Sequence, residues 1–240
     1  MYFAAAMDSV DIILPAYNPL TGWELNVIQR FQSLQKKLPG VQFHLIIVND
    51  GSARMDETAS AALIRQQIPD FQWITYRVNQ GKGYALREGV RKSTSDYIVY
   101  TDIDWPYEEE SMIGLINVLR KNADAVIGVR NEEYYKHLPP ARQRISKLLK
   151  KINARYLHLK VDDTQAGLKG FRKKIKDEFL KTTINRYLFD LEFIFRMSRR
   201  KDIVVIGFPI SLRPGITFSK MNRKILFQEA GNFVKIWLRP

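Results

Sequence analysis

The chain contains no cysteine and only three histidines. Without cysteine there is no disulfide framework, no thiolate metal site and no cysteine nucleophile, and this composition fits a reducing compartment. The histidines are His44, His137 and His158, and their spacing is not that of metal ligands. A histidine-based zinc site is therefore not expected.

Long apolar runs are also missing. No uninterrupted apolar segment approaches the roughly 18 residues that a membrane-spanning helix needs. The N-terminal segment MYFAAAMDSVD has no basic residue before its short apolar stretch, so it is not typical of a signal peptide. We expect a cytoplasmic protein that is soluble or bound to a membrane surface. Its 240 residues suffice for one large α/β domain or two small ones.

Positive charge is scarce in the first half of the chain and abundant in the second. Residues 1–120 hold 11 Lys and Arg against 14 Asp and Glu, a net charge of −3. Residues 121–240 hold 27 against 11, a net charge of +16. This asymmetry indicates that the second half faces an anionic partner, such as a phospholipid surface, a phosphorylated substrate or a nucleic acid.

The first half alternates short apolar strands with segments of helical periodicity. The strands are VDIILPAYN, FHLIIVND, FQWITYRV, DYIVYTD and DAVIGV. Strands that alternate with helices of ten or more residues indicate a mainly parallel sheet, and ligands bind such sheets beyond the carboxyl ends of the strands. Further on, the pattern predicts an amphipathic helix over residues 141–159, a short strand after VDDTQAG, a strand DIVVIGFPI and a C-terminal helix after Ser219.

The fourth strand ends in a pair of aspartates. Asp102 and Asp104 are two positions apart, so their side chains would point to the same side, roughly 6–7 Å apart along an extended chain. Two carboxylates that close repel each other unless a cation intervenes or one of them is protonated. Mg²⁺ and Mn²⁺ prefer one or two carboxylates plus substrate phosphates. Taken alone, the D-x-D pattern fits either a metal–diphosphate site or a solvated acidic turn that caps the helix starting near Glu108.

The ordered combination of these strand ends carries a family resemblance. ILPAYN, VNDGS, NQGKGYALREG and YTDID, followed by VIGVR, RQRIS, DTQAGLKGFRK and FDLEF, resemble the family 2, GT-A-fold inverting glycosyltransferases, and among them the dolichyl- and polyprenyl-phosphate hexose synthases. The resemblance covers roughly residues 9–220. It implies a GT-A, Rossmann-like three-layer sandwich with a mainly parallel mixed sheet, a single domain over 1–240. Within it, about 8–128 would bind the nucleotide sugar, about 129–219 the acceptor, and about 220–240 would form an amphipathic helix.

The resemblance also implies roles for individual residues. Asp104, with Asp102, would bind Mg²⁺ or Mn²⁺, and both would be catalytic. The turn after the first strand would hold uridine or guanosine, Asp50 would accept a hydrogen bond from the base, and Lys82 would contact the diphosphate. The donor-binding set is Pro15, Ala16, Tyr17, Asn18, Asp50, Gly51, Gly81, Lys82, Asp102 and Gln165. Two positions depart from the family: Pro19 replaces a frequent glutamate, and Pro106 replaces a glutamine metal ligand of some members.

On the acceptor side the resemblance leaves two chemistries open. Arg130, Arg142 and Ser146 would bind the phosphate of a polyprenyl phosphate, which needs little base assistance. A saccharide hydroxyl, as in cell-surface polysaccharide synthesis, would need a general base, and Asp190 (with Glu192 beside it in FDLEF) stands where inverting relatives place a catalytic carboxylate. The basic, aromatic C-terminal segment suits either peripheral contact with the inner face of the membrane at the cell envelope or packing on the domain.

Two other protein classes fit the sequence less well. A nucleic-acid-binding domain would agree with the pI of about 9.8, but phosphates would avoid the acidic strand ends. A sugar-1-phosphate nucleotidyltransferase is also α/β with paired aspartates, but it would need a glycine-rich signature that ILPAYNPLTG lacks. We therefore expect a nucleotide sugar as the donor, and no nucleic acid as a partner.

Overall fold

A computed structural model describes residues 7–130, 143, 157, 159–161, 163–186, 188–216, 233 and 236. The strands are β1 (Asp8–Ala16), β2 (Val41–Asp50), β3 (Phe71–Tyr76), β4 (Tyr97–Tyr100), β5 (Ala125–Arg130), β6 (Lys169–Arg172) and β7 (Val205–Ile210). The helices are α1 (Trp23–Lys37), α2 (Glu57–Gln67), α3 (Lys82–Lys92), α4 (Glu109–Lys121), α5 (Lys176–Leu180) and α6 (Phe189–Ser198), with a 3₁₀ turn at Lys173–Ile175. The alternation of strands and helices predicted for the first half is confirmed.

The strands form one mixed sheet in the order β3-β2-β1-β4-β6-β5-β7. All neighbours are parallel except β6, which runs antiparallel to both β4 and β5. All four residues of β4, at the centre, are buried, as expected for a strand covered on both faces. The mainly parallel mixed sheet predicted above is therefore confirmed.

Apolar cores lie on both faces of the sheet. One core packs α1, α2 and α4 against the strands, with Phe31 and Leu115 fully buried. The other packs α3, α5 and α6 against the opposite face, with Leu86, Phe179 and Phe193 fully buried. Because successive side chains of a strand point to opposite faces of the sheet, each strand contributes apolar side chains to both cores. The result is the three-layer sandwich that the sequence indicated.

The division of the chain into donor and acceptor halves stays a prediction. Strands β6 and β7 come from the predicted acceptor half, yet they belong to the same sheet as β1 to β5. The helices predicted over 141–159 and 220–240 fall mostly outside the described residues. In the part of the chain that is described, no helix is long and apolar enough to cross a membrane.

A buried aspartate ties β1 to the loop before β4, at the end of the sheet where the strands begin. Asp11 is 2% exposed. Its carboxylate accepts hydrogen bonds from the Thr94 N–H (2.9 Å), the Ser95 N–H (3.1 Å), the Ser95 hydroxyl (2.7 Å) and the Ser93 hydroxyl. Ser93 and Ser95 are buried as well, so water cannot readily take the place of the carboxylate as their acceptor. Asp11 therefore sets the position of β4 relative to β1.

We predict that Asp11→Ala lowers the free energy of unfolding by about 2–4 kcal/mol, because it leaves several buried donors without an acceptor. Asp96→Ala is the matched control: Asp96 is exposed and accepts from the Ser9 N–H and hydroxyl on the same two segments. Its loss should cost less than about 1 kcal/mol, because water replaces it. Urea unfolding of both variants measures the difference, and equal losses would contradict the account.

Candidate active site

The ends of β1 to β5 and the beginning of the antiparallel β6 meet at one end of the sheet. We call this region the carboxyl end; it comprises residues 15–18, 50–52, 76–82, 101–105, 130 and 163–169. Parallel pairing forces these turns together, although they are far apart in the sequence. Most of the residues selected from the sequence lie here.

Asp102 and Asp104 lie in a tight turn after β4. The Trp105 N–H donates to the Asp102 carbonyl at 2.9 Å, and Trp105 has a φ of 49°, in the left-handed region. The Asp104 carbonyl accepts from Asn26 Nδ2 at 3.0 Å and from Arg213 Nη2 at 2.8 Å. These bonds fix the backbone of the turn, while the Asp104 side chain stays accessible to solvent.

The environment of the turn affects the charge of Asp104. Desolvation by the surrounding turns, and then the negative charge of Asp102, raise the pKa of Asp104 above its ordinary value. Lys82 and Arg213 act in the opposite direction and do not cancel the shift. Burial and the neighbouring carboxylate therefore disfavour the anionic form of Asp104.

Lys82 is the cation that lies against this pair. It is the first residue of α3, and its Nζ forms an ion pair with Asp102 Oδ1. Desolvation lowers the pKa of Lys82, but the charges of Asp102 and Asp190 outweigh it and the net shift is upward. The ammonium is therefore firmly protonated, and its side chain is 28% exposed.

The residues at this turn fit a divalent cation bound together with a phosphate ligand. In the described part of the chain, no three or more histidine, aspartate or glutamate side chains are grouped as a metal cage. Asp104 and Asp102 thus supply at most two carboxylate ligands, the number Mg²⁺ takes where substrate phosphates and water complete its shell. A cation bound there would favour the anionic form of Asp104, which burial and Asp102 disfavour.

Asp50, predicted to bind the base, has a carboxylate that other residues of the carboxyl end already occupy. It is 3% exposed and accepts from the Gln80 N–H (2.7 Å), the Gly81 N–H (2.9 Å) and Asn79 Nδ2 (2.8 Å). Asp50 therefore holds the turn that leads into Lys82. Its contact with a base stays a prediction.

The turn after β1 is anchored to the turn after β2. Asn18 has a φ of 44°; its N–H donates to Ser52 Oγ at 2.9 Å, and its Oδ1 accepts from the Arg54 N–H at 3.1 Å. Pro15 and Ala16 are held within the sheet, and the side chain of Tyr17 is open to solvent, 55% exposed. The turn thus presents an accessible aromatic ring beside the predicted donor site.

Asp190 lies at the start of α6, under the carboxyl end. Its Oδ1 accepts from the Tyr100 hydroxyl at 2.6 Å and lies 2.9 Å from Lys169 Nζ. The Asp190 side chain is 8% exposed. Glu192 is more deeply buried, at 1%, and accepts from the N–H groups of Thr183 and Ile184, so it holds the backbone before α6. A catalytic role for Asp190 stays a prediction.

Comparison with known proteins identifies the family. A family model described as Glycosyl transferase family 2 matches residues 11–180, which is most of the chain and includes the Asp102–Asp104 turn. The chain belongs to glycosyl transferase family 2.

Several named proteins are similar in sequence to this chain at low identity. Glycosyltransferase AglD of Haloferax volcanii is 28% identical over 92% of this chain and 36% of its own length. A dolichyl-phosphate beta-glucosyltransferase of Dictyostelium discoideum is 25% identical over 78% of this chain and 61% of its own length. A poly-beta-1,6-N-acetyl-D-glucosamine synthase of Staphylococcus epidermidis is 28% identical over 48% of this chain and 26% of its own. The chain thus spans about a quarter to three-fifths of these relatives.

Solved structures confirm the GT-A fold. Mannosyl-3-phosphoglycerate synthase of Rubrobacter xylanophilus has a TM-score of 0.65 at 14% identity, over 95% of this chain and 72% of that one. Mannosyltransferase PcManGT of Pyrobaculum calidifontis, in complex with GDP-Man and Mn²⁺, has a TM-score of 0.55 at 16% identity. The match covers 83% of this chain and 54% of that one. At these identities the likeness concerns the fold.

The residues predicted for the acceptor in this family 2 chain are only partly at the carboxyl end. The Arg130 guanidinium is paired with Asp163: Nε and Nη2 donate to its two oxygens, each at 2.7 Å. Gln165, which belongs to the predicted donor-binding set, is exposed, and its backbone N–H donates to the same carboxylate at 3.0 Å. Arg142 and Ser146 lie outside the described residues. A contact of any of these residues with a substrate stays a prediction.

Sequence reasoning missed three residues that shape the site of this family 2 chain. Gly167 packs so closely that a Cβ there would overlap Asp102 Oδ2. Arg213, from the segment after β7, donates to the carbonyls of Asp104 and Trp105. Lys169 is fully buried beside Asp190. Of the three, only Lys169 could have been selected from the sequence, because a lysine inside the apolar run of a strand requires a buried partner.

We predict that Arg130→Met lowers the free energy of unfolding by about 3–5 kcal/mol, because it leaves the Asp163 carboxylate buried without its cation. Burial raises the pKa of Asp163, but Arg130 outweighs it and lowers the pKa, so the pair stabilises the fold at neutral pH and the contribution is lost as the pH falls through that pKa.

Adding Asp163→Asn to Arg130→Met should recover part of this loss, because the buried charge is removed. Arg77→Met, which removes an exposed arginine at the same end of the sheet, is the control and should change stability by less than about 0.5 kcal/mol. Urea unfolding measures all three. If Arg130→Met were as stable as the parent, the buried pair would not contribute as described.

Proposed function

We propose that this chain is a metal-dependent inverting glycosyltransferase that moves a hexose from a UDP- or GDP-sugar to a polyprenyl phosphate. The observation that carries the proposal is the Asp102–Asp104 turn facing Lys82 at the carboxyl end. Two carboxylates with one paired ammonium suit a diphosphate that arrives with a divalent cation. The relative named as a dolichyl-phosphate beta-glucosyltransferase supports the acceptor class, and the neighbour solved with GDP-Man and Mn²⁺ supports the donor class.

The donor would lie across the turns of the carboxyl end. The accessible ring of Tyr17 would contact the nucleobase, and Asn18 would hold that turn in place through Ser52 and Arg54. Lys82 would bind the diphosphate. It follows the turn whose Gln80 and Gly81 N–H groups donate to Asp50. Mg²⁺ or Mn²⁺ on Asp104 and Asp102 would supply Lewis-acid stabilisation of the charge on the departing nucleoside diphosphate.

The proposed transfer requires little proton chemistry from the protein. An oxygen of the acceptor phosphate forms a bond to C1 of the sugar as the bond from C1 to the diphosphate oxygen breaks. The nucleoside diphosphate leaves with the electron pair, and the configuration at C1 inverts. Since a phosphate monoester is already anionic, positioning and charge neutralisation suffice. Lys82 would provide the neutralising charge from the protein.

The surroundings of Asp190 favour a phosphate over a hydroxyl acceptor. A general base must reach the proton of the attacking hydroxyl and must be free to take it. Asp190 is 8% exposed and is held by the Tyr100 hydroxyl and the Lys169 ammonium on one oxygen. A base in that setting has little access to a bulky saccharide. Transfer to a saccharide hydroxyl is therefore the second candidate.

A lipid phosphate acceptor would require contact with a membrane. The net charge of +16 on residues 121–240 is compatible with an anionic inner leaflet. We propose that the protein works as a peripheral protein at the cytoplasmic face, with the basic segment 220–240 among its contacts.

We predict that Asp104→Asn reduces transfer at least about 100-fold, because it removes a carboxylate that the metal–diphosphate needs. The assay combines UDP- and GDP-hexoses with Mn²⁺ or Mg²⁺ and offers a short polyprenyl phosphate or an oligosaccharide as acceptor. Product on the polyprenyl phosphate, lost with EDTA, is the expected result.

Glu110→Gln is the control for that assay. Glu110 lies on the first turn of α4, six residues after Asp104, and its carboxylate pairs with Lys37 on the surface. This variant should keep its activity within about twofold, because exposed pairs contribute little. Transfer to the oligosaccharide alone would overturn the acceptor assignment, and transfer that survives both EDTA and Asp104→Asn would overturn the role of the aspartates.

A further inference from the structure

Lys169 is a fully buried lysine in the middle of the sheet. It is 0% exposed, lies 2.9 Å from Asp190 Oδ1, and donates to the Ala166 carbonyl. Its ammonium is 5.7 Å from the centre of the Tyr100 ring. Taking an ammonium out of water is costly even when it is paired, and an apolar residue at this position would fill the core more cheaply. This residue therefore needs an explanation other than packing.

The sheet register places Lys169 next to the Asp102–Asp104 turn. Lys169 on β6 is the direct partner of Tyr100 on β4. Asp102 follows Tyr100 by two residues, and Gly167, two residues before Lys169, packs against Asp102. The Tyr100 hydroxyl and the Lys169 ammonium both reach the same oxygen of Asp190. Asp190 is thus held by one residue of β4, the strand that leads into the Asp102–Asp104 turn, and by one residue of β6, the strand beside it.

The helix that carries Asp190 packs against the start of α3. The Gly83 N–H donates to the Asn185 carbonyl at 2.7 Å, and a Cβ on Gly83 would lie 2.7 Å from Phe189 Cβ. The first turn of α3, which carries Lys82, is therefore in direct contact with the first turn of α6, which carries Asp190. The Lys82 ammonium is paired with Asp102, and Asp190, on the helix packed against α3, is a second carboxylate whose charge attracts it.

We propose that Lys169 is a positioning residue: it neutralises Asp190 from within the core and so leaves the Lys82 ammonium beside Asp102, where the diphosphate would bind. The proposal rests on the proposed function, because it assigns the diphosphate to Lys82. Without Lys169, the uncompensated Asp190 carboxylate would attract Lys82 towards α6 and away from the donor. Lys169 would not touch the substrate itself.

The test is a double-mutant cycle on the binding of UDP and GDP with Mn²⁺, measured by isothermal titration calorimetry. Lys82→Met should weaken binding about tenfold or more, the size of one charge-assisted contact. Lys169→Met should weaken it by about fivefold or more, and the double variant should bind no more weakly than Lys82→Met alone, because Lys169 acts through Lys82.

A substitution at Asp190 distinguishes the electrostatic effect of Lys169 on nucleotide binding from its effect on core packing. Asp190→Asn keeps the shape but removes the competing carboxylate, so it should bind the nucleotide at least as tightly as the parent protein. In the Asp190→Asn background, Lys169→Met should have no further effect on affinity. This neutral pair also keeps the test usable if Lys169→Met alone does not fold, since no unpaired charge remains in the core.

Arg172→Met is the matched control. Arg172 is a cation on the same strand, and its guanidinium donates to the Ala123 and Arg120 carbonyls at the opposite end of the sheet. This variant should lower the thermal midpoint without changing nucleotide affinity.

Each failure has its own meaning. Unchanged binding in Lys82→Met would overturn the assignment of the diphosphate to Lys82, and with it the proposed donor site. If Lys82→Met weakens binding but the losses from Lys82→Met and Lys169→Met simply add, or Asp190→Asn does not restore binding to Lys169→Met, the positioning role of Lys169 is wrong while the donor site stands.

Discussion

The arrangement of this protein depends on how negative charge is compensated at the end of β4. Three carboxylates meet there, Asp102, Asp104 and Asp190, and two lysines from other elements lie among them. Lys82 comes from α3 and Lys169 from β6. Carboxylates that are close together and partly buried are stable as anions only when cations lie near them. Desolvation, and then the charge of Asp102, raise the pKa of Asp104 although Lys82 and Arg213 oppose the shift, and a bound cation would act in the same direction as these two side chains.

The mixed sheet makes this compensation possible. If all seven strands were parallel, seven carboxyl ends would lie together and only turns would occupy the centre of that end. The antiparallel β6 instead begins there, so Lys169 enters the core directly opposite Tyr100. Gly167 then lies close against Asp102, with no room for a side chain. The position of β6 thus determines both the shape and the charge of the site.

The turns around the cluster hold one another rather than projecting independently. Asp50 grips the turn that leads to Lys82, and Asn18 anchors the turn after β1 to the turn after β2. Arg213, more than a hundred residues away in the sequence, holds the carbonyls of the aspartate turn. Because bonds within the protein hold these turns, the conformational cost of binding a ligand there is limited. The exposed Tyr17 is an exception and remains available for contact.

Local patterns predicted the fold and the aspartate pair well. The apolar strands, the helical periodicity and the spacing of Asp102 and Asp104 depend on neighbours in the chain, so the sequence displays them directly. The partners of Asp50, Arg130 and Lys169 depend on register and on pairing between distant segments. For that reason the base contact of Asp50 and the phosphate contact of Arg130 were inferred without the internal bonds that occupy both side chains.

The central claim is that a divalent cation and a nucleoside diphosphate bind together at the end of β4. The most direct measurement is paramagnetic line broadening in the backbone NMR spectrum, with Mn²⁺ added in the presence and absence of UDP or GDP. The account predicts that with nucleotide the signals of Thr101 to Asp104, Lys82 and Gly167 broaden first, while those of Ser93 to Ser95, at the opposite end of the sheet, stay sharp. Broadening centred elsewhere, or unaffected by the nucleotide, would contradict it.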